Sequence, residues 1–67
     1  MSLANEAVQD LFADISRVGI TFSKLARRAG VTRATLNNWR SKRTLPTLEK
    51  YLEVRRALDE QMEQIRR

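Results

Sequence analysis

The sequence predicts an all-α chain: a small domain of four helices, or five if the last segment breaks, with two short helices at its centre and a long C-terminal one. Three observations carry this. Apolar residues recur three and four apart in each segment, and no useful stretch alternates with period two. Breakers are scarce, two Gly and one Pro in 67 residues, so Gly19, Gly30 and Pro46 stand out as the division points. Thr21, Thr32 and Thr47 each stand where a helix needs a side-chain acceptor for its first free N–H groups.

The first segment carries Val8, Leu11, Phe12, Ile15 and Val18 as one helical stripe. Glu6, Asp10 and Asp14 lie off that stripe and toward the N-terminal half, where acids suit the helix dipole. Ser2 or Asn5 is the expected N-cap. In the second segment Thr21 caps a stripe of Phe22, Leu25, Ala26 and Ala29, and Gly30 ends it by entering the left-handed region at no steric cost. The third segment is capped by Thr32 and runs from about Ala34 to Arg40, with Leu36 and Trp39 on one face. Only Gly30 and Val31 separate the second helix from the cap of the third, which reads as a helix-turn-helix over about residues 21–40. The last segment follows the polar loop 41–44 and Leu45-Pro46. Leu48, Tyr51, Leu52, Leu58, Met62 and Ile65 recur at helical spacing there, and nothing over about 47–66 breaks a helix.

Composition narrows the function. A chain of 67 residues is read as a single domain, 1–67, with a small core. It holds no Cys and no His, so thiolate zinc sites and the commonest general base are absent from it. There is no Gly-rich phosphate loop and no acid placed beside a nucleophile. No enzyme, no metal, no cofactor and no small-molecule ligand are expected. No run is apolar enough to span a membrane, and residues 1–6 do not resemble a signal peptide. The expected setting is therefore the cytoplasm.

The net charge of +5 is unevenly spread. Residues 1–20 carry −2 and residues 47–67 are balanced. Residues 21–46 carry Lys24, Arg27, Arg28, Arg33, Arg40, Lys42 and Arg43 with no acid, a charge of +7. Such a block attracts phosphate backbones and releases counterions on binding. A merely solvating cationic face is the competing reading. Arg27 and Arg28 are adjacent and point about 100° apart on a helix, so they cannot both face one groove.

The central run resembles the helix-turn-helix of the phage Cro/repressor (XRE-type) family. The matching positions are Leu25-Ala26, then Gly30-Val31-Thr32, then Thr35-Leu36, then Trp39, and after a polar loop Pro46-Thr47-Leu48. The likeness extends through Ala57-Leu58, over residues 21–58. Three positions depart from the pattern. Lys42 stands where the family usually has Gly. Phe22 stands where it often has a Gln that reaches phosphate. No turn signal follows Ala57-Leu58, so the fourth helix is expected to continue through Asp59-Glu60-Gln61-Met62.

The resemblance implies a third helix lying in the major groove of double-stranded DNA. It places Arg33, Ala34, Asn37 and Asn38 on base edges. These residue types suit such positions, since Arg bonds guanine O6 and N7, Asn pairs with adenine N6 and N7, and Ala contacts a thymine methyl. Thr21, Ser23, Thr32, Thr35, Arg40, Lys42 and Arg43 are then read as phosphate contacts. Trp39 is assigned to the core by its spacing from Leu36.

Leu48, Tyr51, Arg55, Leu58, Met62 and Ile65 also fit a heptad seam with one basic interruption at Arg55. Leu48 and Leu52 are expected to pack within the chain. Leu58, Met62 and Ile65 are expected to pair with a second copy. The resulting function is a sequence-specific DNA-binding transcriptional regulator, a small phage or prophage repressor that holds a palindromic operator as a homodimer. The alternative is a helix-turn-helix adaptor whose basic surface binds an acidic protein partner.

Overall fold

The computed structural model describes residues 3–66, with side chains from 5 to 65. Four helices follow one another: α1 Leu3–Val18, α2 Phe22–Ala29, α3 Arg33–Arg40 and α4 Leu48–Arg66. There is no strand among the described residues. Ser2, one of the two candidate caps of α1, lies outside them. Asn5 is already inside the helix and is not its cap.

The remaining caps form where the sequence puts a hydroxyl. Thr21 Oγ1 accepts the Lys24 N–H at 3.2 Å. Thr32 Oγ1 accepts the Thr35 N–H at 3.1 Å, and Thr47 Oγ1 accepts the Lys50 N–H at 3.2 Å. Gly30 adopts φ 76°, which turns the chain so that the Val31 N–H reaches the Ala26 carbonyl at 3.0 Å. This is the tight corner between α2 and α3.

The end of α3 uses the same device with the wrong residue for it. Lys42 has φ 65°, in the left-handed region. Its N–H donates to the Trp39 carbonyl at 3.2 Å, and the Arg43 N–H donates to the Asn38 carbonyl at 2.9 Å. These two bonds make a Schellman ending, whose left-handed position usually belongs to Gly. The usual family glycine at this position therefore has a backbone reason, and Lys42 carries the strain of a Cβ there.

Each helix contributes to one core. Val8, Leu11 and Ile15 of α1 meet Leu25 and Ala26 of α2, Leu36 and Trp39 of α3, and Val54, Ala57 and Leu58 of α4, all buried. α2 packs along α4 and against α3, while α1 closes the core over α3 and α4. Phe12 and Phe22 extend it at one edge, with tilted rings 5.5 Å apart.

α4 faces its neighbours differently from the sequence reading. Leu58 is 0% exposed and belongs to the core, so it is unavailable to a second copy. Met62 also packs, half-buried, against that core, which leaves Ile65 as the exposed member of the expected dimer set. Conversely, Leu48 and Leu52 do not pack within the chain; both are exposed. The reason is angular. The inward stripe of α4 runs through Val54 and Leu58, and Leu52 lies about 160° around the helix from Val54.

Arg55, the basic interruption of the supposed seam, is tied to α1. Its Nη1 lies 2.7 Å from Asp14 Oδ2 and its Nε 3.5 Å from Asp59 Oδ1. Asp14 also pairs with Arg17 at 3.5 Å. Burial opposes the Arg55 charge, but the hydrogen bond to Asp14 and the nearby carboxylates outweigh it and hold the guanidinium pKa above its ordinary value.

Candidate nucleic-acid interface

α3 divides its residues between two jobs. Leu36 and Trp39 are buried on its inner side. Arg33 and Ala34 are exposed on the other, and Asn37 and Asn38 are half-buried beside them. Arg33, Asn37 and Arg40 stand at i, i+4 and i+7, on one stripe. Ala34 and Asn38, one residue on from Arg33 and Asn37, form the neighbouring stripe.

A shallow groove runs between the first stripe and the start of α2. Thr21, Ser23, Arg33, Asn37 and Arg40 line it together with Ile20 and Phe22. Five sequence-predicted contacts are thus brought together. Ala34, Asn38, Thr32 and Thr35 lie outside this groove, and Lys42 and Arg43 lie beyond the end of α3. The Thr32 and Thr35 hydroxyls sit 2.8 Å apart and bond each other. The Asn38 carbonyl takes the Arg43 N–H and the Ser41 hydroxyl, which ties the basic loop to α3.

Phe22 has a role that sequence reasoning missed. The Arg40 guanidinium lies over its ring, 5.3 Å from the centroid. A cation held on an aromatic face keeps its charge and loses side-chain freedom. Where the family often has a Gln at this place, this chain has a platform that holds Arg40 at the groove. Nothing local signals this, because Phe22 and Arg40 lie on different helices.

The electrostatics are one-sided. The ion pairs among the described residues join Arg17 to Asp14, Lys50 to Glu53, and Arg55 to Asp14 and Asp59, all within α1 and α4. None of the seven cations of residues 21–46 belongs to these pairs. Arg28 alone among them spends donors on a side chain, Gln64 Oε1 at 3.1 Å. The face around α3 and its following loop is therefore an unneutralised positive surface, with Arg and Asn side chains presented on a helix of groove width.

Among the described residues no group of acids is placed to hold a metal ion, and no helix is long and apolar enough to cross a membrane. A helix-turn-helix family model matches residues 15–65. No curated protein and no solved structure matches the chain.

Proposed function

The chain belongs to the helix-turn-helix family of the Cro/repressor type, a family of DNA-binding regulators, and from that premise we propose a sequence-specific regulator that reads a two-fold symmetric operator as a homodimer. α3 enters the major groove. Arg33, Ala34, Asn37 and Asn38 face base edges there. Thr21, Ser23, Thr32, Thr35, Arg40, Lys42 and Arg43 meet phosphates and set the register. Bound in this way the protein occludes its site and represses by exclusion of polymerase. The phage or prophage setting is carried by the resemblance alone.

The observation that supports this reading most is the exposed side of α3. It carries the residue types that discriminate bases, within a surface whose cations have no acidic partner. A solvating surface has no need to place Arg33 and Asn37 on one stripe beside one groove.

The test is selection of sites from a randomised double-stranded DNA pool at near-physiological salt. The expected product is a symmetric motif with half-sites about one helical turn, 10–10.5 bp, apart. Binding without enrichment of any motif, lost as salt rises, would overturn the reading and leave a nonspecific cationic surface.

A further inference from the structure

The outward side of α4 exposes apolar surface that the chain itself leaves uncovered. Leu48 is 73% exposed and Leu52 52%, and Leu45 in the preceding loop is 53% exposed. Leu48 and Leu52 are one turn apart on one face. Immediately beyond them a groove is lined by Leu52, Arg55, Arg56, Asp59, Glu60 and Glu63. An apolar ridge thus lies beside a groove walled by charged residues, whose aliphatic stems are what it offers an apolar side chain.

Arg55 and Asp59 are already paired, but two charges beside the leucines are not. Glu49 and Arg56 take part in none of the ion pairs among the described residues. They are seven residues apart, two helical turns, and so lie on the same flank of the leucine face. A flank with an acid at one end and a base at the other is complementary to itself when reversed. Reversal is what a two-fold axis does to a helix lying beside its own copy.

We propose that this face is where a second copy of the chain docks, α4 against α4, antiparallel, about a two-fold axis midway between Leu52 and Glu53. That register sets Glu49 opposite the partner's Arg56, and Arg56 opposite the partner's Glu49. Leu52 meets its own copy at the axis. Leu48 falls level with residues 55–59 of the other helix, where the groove receives it. The alkyl stem of Arg56 lines that groove while its head stays in water. The proposal rests on the homodimer reading above and moves its seam from Met62 and Ile65 to the other side of α4.

The pairing is small. Leu48 to Asp59 spans roughly 18 Å of helix, which buries less than the about 800 Å² per partner of a standard stable complex. The dimer is therefore weak in free solution and is completed when two copies share one operator.

Sedimentation of the full chain, from micromolar to several hundred micromolar, tests this with charge exchange. The parent shows a reversible monomer–dimer equilibrium. Glu49→Arg or Arg56→Glu alone weakens it at least about tenfold, because each sets like charges opposite one another. The double variant, with the two charges exchanged, returns to near the parent value. Leu52→Asp abolishes the dimer, and because Leu52 is exposed the monomer keeps its helical circular dichroism. Ile65→Asp changes nothing. A parent dimer indifferent to Leu52→Asp and to both charge reversals overturns this face and leaves the homodimer standing. Failure of the double variant to restore what the single ones lose overturns the register. A parent that is monomeric at every concentration, and binds operator DNA one copy at a time, overturns the homodimer and this face together.

Discussion

Lys42→Gly separates the two demands made on one residue. The backbone there has φ 65°, and an L-residue in that region is disfavoured by roughly 1–2 kcal/mol. Glycine escapes that cost but loses more freedom on folding, by roughly 0.5–1 kcal/mol against Ala. Lys42 is exposed and its side chain is in no ion pair, so little else is lost from the folded chain. The substitution should stabilise by about 0.5–1 kcal/mol. For a domain of this size that raises the melting temperature by about 2–8 °C. The control is Lys42→Ala, which removes the same charge but keeps a Cβ, and should melt within about 0.5 kcal/mol of the parent. Thermal melts followed by circular dichroism compare the three proteins. On DNA the order inverts. If Lys42 meets a phosphate as proposed, both variants bind more weakly than the parent and lower the log–log salt slope by about 0.9. A Lys42→Gly protein that melts no higher than Lys42→Ala would refute the argument that left-handed strain resides at this residue. An unchanged salt slope would remove Lys42 from the phosphate contacts.

Other substitutions probe the core, the tether and the reading face. Trp39→Ala opens a cavity at the centre of the cluster that all four helices share, and should cost about 3–5 kcal/mol; a variant still folded at 37 °C would show that the core is assigned wrongly. Arg55→Met keeps the length of the side chain but breaks the tie from α4 to α1, and urea unfolding should register a loss of about 1–2 kcal/mol. The guanidinium's contribution is complete below the ordinary arginine pKa and is lost as pH rises through its raised value. The difference between parent and Arg55→Met should therefore stay constant from neutral pH to about pH 10. Arg33→Ala should cost about 1–3 kcal/mol of operator affinity and relax preference at one base pair. Binding titrations on operators varied one position at a time measure both effects, and an unchanged preference would withdraw Arg33 from base reading.

Much of this fold is legible because its signals are local. Thr21, Thr32 and Thr47 cap the helices they precede, and Gly30 takes the turn that only a residue without Cβ takes freely. The stripe of α1 and the Leu36–Trp39 pair face inward as their spacing requires. α4 is less legible for a physical reason. It has leucines on two sides, and hydropathy does not say which side meets α2. The stripe through Leu48, Tyr51, Arg55 and Leu58 differs from the buried one through Val54, Ala57 and Leu58 by a fraction of a turn. Only packing against the other helices decides between them. The site divides similarly. The placement of Arg33 and Asn37 on an outer stripe follows from helical periodicity. The stacking of Arg40 on Phe22 joins residues on separate helices, and the tie of Arg55 to Asp14 joins the last helix to the first. No window of sequence contains either pair.

The two-sidedness of α3 bears on how such a protein changes over generations. Leu36 and Trp39 are locked into the interior, whereas Arg33 and Ala34 are exposed and outside the buried core. Substitutions at those outer positions leave the energy of folding nearly untouched. If those positions read bases as proposed, a lineage can explore new DNA words there while inheriting the same scaffold, and two descendants can diverge in target without either passing through an unfolded ancestor. The alphabet of the helix is free where its grammar is not.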